Sequence, residues 1–549
     1  MRIHYSRHVT KTVAGAILDI LWKAGVRETF GIPGVHNLAF WNALSANRPS
    51  IRSVRHEQTT VYAADGLARS TGGLGVAFTT TGPGAANTLG AFGEAAVSNS
   101  AILVISSEAP MKLRKPDLSR GLLHEMTDQS SLFSPLAKKD DAGRALAISA
   151  VTGQGAIKAA QNLVIELMKA PKGSGYLGIP ADVLNQEIDI ELNDVEFAQK
   201  VESLDLSNEI KELVSRSNKV SIWAGGGAID FSEEIRKLSD HLSAPIFTSF
   251  AGRGIGSSSQ NYLQFPIHEN EVSQLMSESD VLLVFGSELD GMNTKNWTIP
   301  WPTKIVIFDI RPGKATLNCA AQYQFETSDI ASVIQQLCEL PSKNAWTDIA
   351  KLNLEVRNRL RNSDKERSGT SLVEAVDNAW KQVDPVFCDM AVSGYWVGVY
   401  GKNERPRRTA YPVGWGTLGF ALPAAIGAAA AGMKPLVICG DGGFAFAMSE
   451  LATIAQEKLP ITILLNDDGG YGMLRFDQQV MNHKEQGVDL FNPDWKTLCE
   501  SFQIFFKESD LANLEKNLKE QYAKNQPGLL LLREKFYPPR STSPRWREA

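Results

Sequence analysis

A chain of 549 residues has room for roughly three domains of about 150 to 200 residues each, and its apolar, charged and glycine contents are those of a globular protein. The net charge of −5, mixed in sign and without a lysine or arginine block, excludes a general attraction to nucleic acid. No run approaches the roughly 18 apolar residues of a membrane span, so no membrane partner is expected either. The opening MRIHYSRHVTKTVAGAILDILWKAGV breaks its apolar runs with Lys11, Asp19 and Lys23, and reads as an amphipathic helix inside a domain rather than a signal peptide. Cys319, Cys338, Cys388, Cys439 and Cys499 are odd in number and lack CxxC spacing, which points to reduced thiols in a cytoplasmic protein.

The first block, residues 1–184, alternates helical stretches with short apolar runs such as Leu74 to Phe78 and Ala101 to Ile105. A more polar passage, 185–208, reads as a linker. The second block, 209–340, carries strand-like runs at Val220 to Trp223, Val281 to Phe285 and Ile305 to Phe308. Its Ala224-Gly-Gly-Gly-Ala228 follows a strand but is not GxGxxG, so it is not read as a dinucleotide turn. After a second linker, 341–370, the third block covers 371–549. Strand and helix patterns alternate in every block, which predicts an α/β chain of three open parallel sheets with helices on both faces. The first and third blocks have similar layouts.

The third block holds the most informative stretch, LVICGDGGFAFAMSELATIAQEKLPITILLNDDGGYGMLR from Leu436 to Arg475. Two apolar runs, ending at Cys439 and Leu465, flank a helix-length segment and read as a βαβ unit. Its right-handed crossover sets the two strand ends side by side, and ligands bind outside such carboxyl ends. Asp441 leaves one strand and Asp467 or Asp468 the other, while Gly469-Gly470 can turn a carbonyl inward. Mg²⁺ takes about six oxygen ligands near 2.1 Å, some of them from phosphates and water. The amides of Gly442 and Gly443, near a helix N-terminus, can face phosphate oxygens. GDGGF lacks the Lys-Ser/Thr ending of a P-loop. These residues together suit a hard cation carrying a phosphorylated ligand.

The Gly440-Asp441-Gly442 turn, with an acidic or amide residue after a strand just under thirty residues later, resembles the thiamine-diphosphate signature. The likeness is to the acetolactate synthase, 2-oxo acid decarboxylase and benzaldehyde lyase superfamily, and it runs over almost the whole chain. It implies thiamine diphosphate and Mg²⁺ as cofactors, with Asp441, Asp468 and the Gly470 carbonyl holding the metal against the diphosphate. Gly442, Gly443 and Tyr471 count among the cofactor-binding residues. The family usually has Asn where Asp468 stands, so this chain adds a negative charge there. Arg55-His56-Glu57 and the helix that follows resemble the setting of the family's catalytic glutamate, which makes Glu57 the acid that hydrogen-bonds the aminopyrimidine. Burial beside an apolar ring would favour its protonated form, and His56 only flanks it. Val413 to Gly427 resembles the segment whose bulky residue, here Leu418, wedges thiamine into its bent shape. Gly416 would accept from the 4′-amino group, and Thr80-Thr-Gly-Pro-Gly-Ala-Ala-Asn87 would line the opposite side. Alanines and glycines in such a segment also serve close helix-sheet packing.

The resemblance further implies that a 2-oxo acid is decarboxylated through a C2 ylide and enamine, releasing an aldehyde or ligating to a second carbonyl. Acetolactate synthases carry a Gln in an F-Q-E-type loop and a Trp shortly after the metal motif. This chain has Leu122-Leu-His-Glu-Met-Thr-Asp-Gln129 and Met473-Leu-Arg-Phe-Asp-Gln478, which puts acetohydroxyacid synthesis second. His36 and Gln129 instead resemble the His and Gln that face the substrate in benzaldehyde lyase and related lyases; His124 and Glu125 order the loop. Arg475 suits a substrate carboxylate or a surface ion pair equally. The 122–129 loop and the closing Thr542-Ser-Pro-Arg-Trp546 resemble synthase-like proteins assigned as 5-guanidino-2-oxopentanoate decarboxylases. Synthases often bind FAD through a GMHG-type segment. Here that stretch reads Leu263-Gln-Phe-Pro-Ile-His-Glu269, so FAD is not expected and the middle block reads as a spacer shaping the entrance. The family builds its site across a dimer, so a homodimer is the least assembly expected, and a homotetramer the fuller one. The remaining alternative is a cofactor-binding regulatory protein without turnover.

Overall fold

Strands form where branched and aromatic runs are buried on both faces, as in VLLVF at Val281–Phe285 and GLLLL at Gly528–Leu532. The computed structural model describes residues 11–115, 118–189, 197, 204–412 and 414–542. The first ten residues of the opening, most of the passage read as the first linker, Val413, and all but Thr542 of the closing Thr542–Trp546 segment lie outside the described residues.

In chain order the strands are β1 (Lys11–Thr12), β2 (Glu28–Gly31), β3 (Ser50–Ser53), β4 (Gly75–Thr79), β5 (Ile102–Glu108), β6 (Ala147–Ser149), β7 (Ser174–Pro180) and β8 (Glu187–Ile188). They continue with β9 (Val220–Ala224), β10 (Ile246–Thr248), β11 (Val281–Phe285), β12 (Ile305–Asp309) and β13 (Tyr323–Glu326). The last are β14 (Val386–Cys388), β15 (Thr409–Ala410), β16 (Leu436–Gly440), β17 (Thr462–Asn466), β18 (Phe505–Ser509) and β19 (Gly528–Leu532). Among the described residues they form one antiparallel pair, β1-β8, and three parallel sheets. The sheets run β3-β2-β4-β5-β7-β6, β10-β9-β11-β12-β13 and β15-β14-β16-β17-β19-β18. The first and third share one order, which bears out the similar layouts of those two blocks.

By packing the chain divides into two compact units. The first comprises Met1–Gln199, Pro423–Gly432 and Ala447–Leu459; the second comprises Lys200–Leu422, Met433–Phe446 and Pro460–Ala549. Two helical stretches of the third block thus belong to the first unit, and the cause is local. A Cβ on Gly66 would lie 2.0 Å from the Ala424 carbonyl oxygen, and one on Gly427 would lie 1.8 Å from that of Ala63. The small residues of the 421–430 helix therefore serve backbone-to-backbone contact with the helix Glu57–Thr71, not only packing on a sheet.

Within the first unit, helix Val13–Lys23 is capped by the Thr12 hydroxyl, which accepts from the Gly15 amide. Asp19, which interrupts its apolar run, is paired with Lys11 and Arg48, each at 2.7 Å. Within the second unit, Gly225 and Gly227 donate to Phe285 and Gly286 carbonyls, both at 2.9 Å. That triple glycine lets the ends of β9 and β11 meet, the packing use of glycine where backbones approach closely. No helix among the described residues is long and apolar enough to cross a membrane. The five cysteines are free thiols, with Cys388, Cys439 and Cys499 buried.

Candidate active site

In an open parallel sheet the strand order reverses at one crevice, and ligands bind there outside the carboxyl ends. In the third sheet that switch lies between β14 and β16, whose ends deliver Asp389 and Asp441; β17, next to β16, delivers Asp467 and Asp468.

Asp441 opens the helix Asp441–Ala445 and is fully buried. Its Oδ2 accepts from Asn492 Nδ2 at 2.6 Å, while its Oδ1 is buried and makes no hydrogen bond among the described residues. Burial raises its pKa, and Asp467 adds to the rise. Asp467 and Asp468 differ in how far their oxygens are occupied. Asp467 is buried and accepts from Asn492 Nδ2 at 2.8 Å, Trp495 Nε1 at 2.8 Å and Arg533 Nη1 at 2.7 Å. It is an anchor. Asp468 is half-buried, and burial together with the Asp441 charge pushes its carboxyl up to about 6.

The turn after β17 is held from outside. Gly470, at φ +149°, bridges Asp489, and a Cβ there would come within 1.9 Å of the Val488 carbonyl oxygen. The Tyr471 amide donates to Val488 at 2.8 Å. Arg475 donates to the Gly469 carbonyl at 3.1 Å and the Asp489 carboxylate at 3.0 Å. Of the two roles expected for Arg475, the ion pair is the one observed, and it clamps this turn. The Tyr471 ring lies where a Cβ on Gly442 would be, 2.7 Å away, so only glycine fits at 442. Among the described residues no cluster of three or more His, Cys, Asp or Glu is arranged to hold a metal; two carboxylates and a carbonyl form a different donor set.

Asp389, which sequence reasoning missed, joins the Gly440–Gly443 turn to the turn that ends at Ala421. It is buried and accepts from the amides of Met390 at 2.8 Å, Gly419 at 3.1 Å and Ala421 at 3.4 Å. It also lies 3.1 Å from where a Gly443 Cβ would be. Burial raises its carboxyl to about 6. The signal was its place, the residue after a buried strand at the switch. Gly416 (φ +76°) and Leu418 sit half-buried in the turn that Asp389 ties down.

In the first unit the switch lies between β2 and β4, whose ends lead into the His36 and Thr81–Gly82 turns. Glu57 begins the helix after β3, capped by His56, whose Nδ1 accepts from the Gln58 amide at 3.2 Å. Glu57 Oε2 accepts from Asn87 Nδ2 at 3.1 Å, and its Oε1 lies 3.7 Å from where a Gly84 Cβ would be. The Thr80–Asn87 turn is therefore its neighbour. The burial expected for Glu57 is not observed: within its unit the side chain is half-buried, because it stands at the open first turn of a helix. Behind it, Glu450 accepts from the Arg55 amide at 3.0 Å, a support that the sequence spacing does not reveal.

His36 Nδ1 bonds the Thr81 hydroxyl at 3.1 Å, and its ring meets His124 edge-on at 5.9 Å. Burial lowers the His36 pKa and His124 lowers it further, which favours the neutral ring. Glu125 accepts from Ser119 and from the Arg120 and Leu122 amides, and orders the loop as expected. Gln129 is buried, its Nε2 donates to Ser106, the Ser107 carbonyl and Tyr176, and its Oε1 accepts from the Gly82 amide at 2.6 Å. Both ends of its amide are taken within the protein, and it holds the Gly82 turn. The stretch Leu263–Glu269 is likewise interior. His268 and Glu269 are fully buried, and Glu269 pairs with Arg359 and the Tyr400 hydroxyl.

Comparison with known proteins agrees with this geometry. Residues 11–132 match the family described as thiamine pyrophosphate enzyme, N-terminal TPP binding domain. Residues 207–337 match its central domain, and 389–532 its C-terminal TPP binding domain. The chain is 29% identical over 545 residues to the probable 2-ketoarginine decarboxylase AruI of Pseudomonas aeruginosa, covering 95% of this chain and 94% of that one. It is 27% identical over 566 residues to a probable acetolactate synthase large subunit of Methanocaldococcus jannaschii, covering 94% and 91%. Against an acetolactate synthase of Bacillus subtilis the identity is 25% over 517 residues, covering 89% and 87%.

Proposed function

The chain belongs to the thiamine pyrophosphate enzymes, and from that membership we propose that it decarboxylates a 2-oxo acid, with Mg²⁺ holding the cofactor's diphosphate. The observation that carries the metal assignment is Asp441 Oδ1, a buried carboxylate oxygen without a donor beside the half-buried Asp468. Leaving such an oxygen uncompensated is costly, and hard oxygen donors suit Mg²⁺. Asp441, Asp468 and the Gly470 carbonyl would hold the ion, and the amides of Gly442 and Gly443 would face phosphate oxygens. When bound, thiamine diphosphate supplies the carbon nucleophile and the electron sink for loss of carbon dioxide.

The chain's own groups orient and move protons. Glu57, held by Asn87, would exchange a hydrogen bond and a proton with the aminopyrimidine. Gly416 and Leu418 would receive and bend the thiamine. His36, tied at Nδ1 to Thr81, keeps Nε2 to give or take a proton at the substrate carbonyl. A homodimer is the least assembly we propose.

The decarboxylase reading is preferred over acetohydroxyacid synthesis because His124 stands in the loop where synthases carry Gln. The relative named for 2-ketoarginine makes a guanidino 2-oxo acid the first substrate to test. The test is product identity from pyruvate, branched-chain, aromatic and guanidino 2-oxo acids. An aldehyde as the product supports simple decarboxylation; acetolactate without acetaldehyde from pyruvate overturns it in favour of a synthase.

A further inference from the structure

The segment after helix Gly472–Val480 returns across the β17 turn and bridges Gly470 at Asp489. Leu490 donates to the Gly469 carbonyl at 3.2 Å, which extends the contact. This return brings Asn492 to the ends of β16 and β17, between two buried carboxylates. One amide nitrogen carries two hydrogens. In Asn492 the same Nδ2 lies 2.6 Å from Asp441 Oδ2 and 2.8 Å from Asp467 Oδ1. Both partners are acceptors, so chemistry requires the nitrogen, not the oxygen, to face them. Without that bridge the two carboxylates would face each other unscreened, and like charges at short range in a buried setting repel strongly.

The bridge is anchored at one end only. Asp467 Oδ2 is taken by Trp495 Nε1 at 2.8 Å and Arg533 Nη1 at 2.7 Å, so Asp467 cannot swing. Asn492 is therefore held, and through it Asp441 Oδ2 is held. The oxygen left over is Oδ1, buried and unpartnered. We infer that Asn492 is a positioning residue that presents Asp441 to the metal through Oδ1. Its amide occupies Oδ2 and thereby sets which oxygen of Asp441 is offered. The inference rests on the reading of Asp441 as a Mg²⁺ ligand and adds a residue 51 positions away in sequence.

The experiment titrates Mg²⁺ into the full-length, cofactor-stripped protein at saturating thiamine diphosphate, with binding read by calorimetry and tryptophan fluorescence rather than turnover. Asn492→Ala removes the donor; Asn492→Leu removes it while keeping most of the volume. Both variants are expected to raise the half-saturating Mg²⁺ by about 10- to 100-fold, together with a lowered melting temperature of the cofactor-free protein from the unscreened carboxylate pair. Wild-type Mg²⁺ half-saturation in a folded variant overturns the positioning role, and a drop in melting temperature alone marks Asn492 as merely structural. If one variant does not fold, the other decides. Thiamine diphosphate binding to wild type that is independent of Mg²⁺ removes the Asp441 reading itself, a failure distinct from that of Asn492.

Discussion

Glutamate at the first turn of a helix is stabilised by the unpaired amides around it, and that alone would explain Glu57. Its neighbours argue for more. Asn87, from the Thr80–Asn87 turn, donates to one carboxyl oxygen, and Gly84 of the same turn lies beside the other. Glu57→Gln keeps the size and removes the transferable proton. Carbon dioxide release is expected to fall about 10²- to 10⁴-fold with thiamine diphosphate affinity little changed; full activity in this variant would refute the role. At this scale the sequence was a partial guide. Asp441 and Asp468 were legible because acids after apolar strands meet at a sheet edge. Asp467 and Asp468 were indistinguishable, since successive residues leaving a strand point to opposite sides, and only contacts with Trp495 and Arg533 show which one is spent. The partners of Gln129 were not legible because its spacing says nothing of the Ser106, Tyr176 and Gly82 groups that occupy it.

Elements carry the next level of the account. Helix Glu57–Thr71 presents Gly66, and the helix Ala421–Ala430 presents Gly427, at a crossing too close for any side chain. A methyl at 427 would meet the Ala63 carbonyl oxygen at 1.8 Å and the Leu67 amide at 2.8 Å, both backbone atoms that cannot turn aside. Gly427→Ala is expected to destabilise the protein by about 1–3 kcal/mol, the usual cost of overpacking, read as a lowered midpoint in thermal or urea unfolding. An unchanged midpoint would show that the crossing relaxes freely. The small residues of this helix announced close packing in the sequence, but their partner, some 360 residues earlier by the positions of Gly66 and Gly427, was not legible. The strands were: predicted runs such as Val281 to Phe285 coincide with β11, because fully buried parallel strands leave an uninterrupted apolar signature.

At the scale of the whole molecule, the first and third sheets repeat one strand order. Each delivers turns to its own switch point, Glu57 and His36 in one unit, Asp389 and Asp441 in the other. For the homodimer proposed above, light scattering is expected to give at least twice the 59.9 kDa of one chain; a strictly single-chain mass would contradict it. The central claim is that the chain removes carbon dioxide from a 2-oxo acid with thiamine diphosphate and Mg²⁺. The most direct test measures carbon dioxide from a panel of 2-oxo acids, guanidino and pyruvate included, using stripped protein with and without both cofactors. The account predicts release from at least one acid only when both are present. No release from any acid, or release that persists after both cofactors are removed, would contradict it.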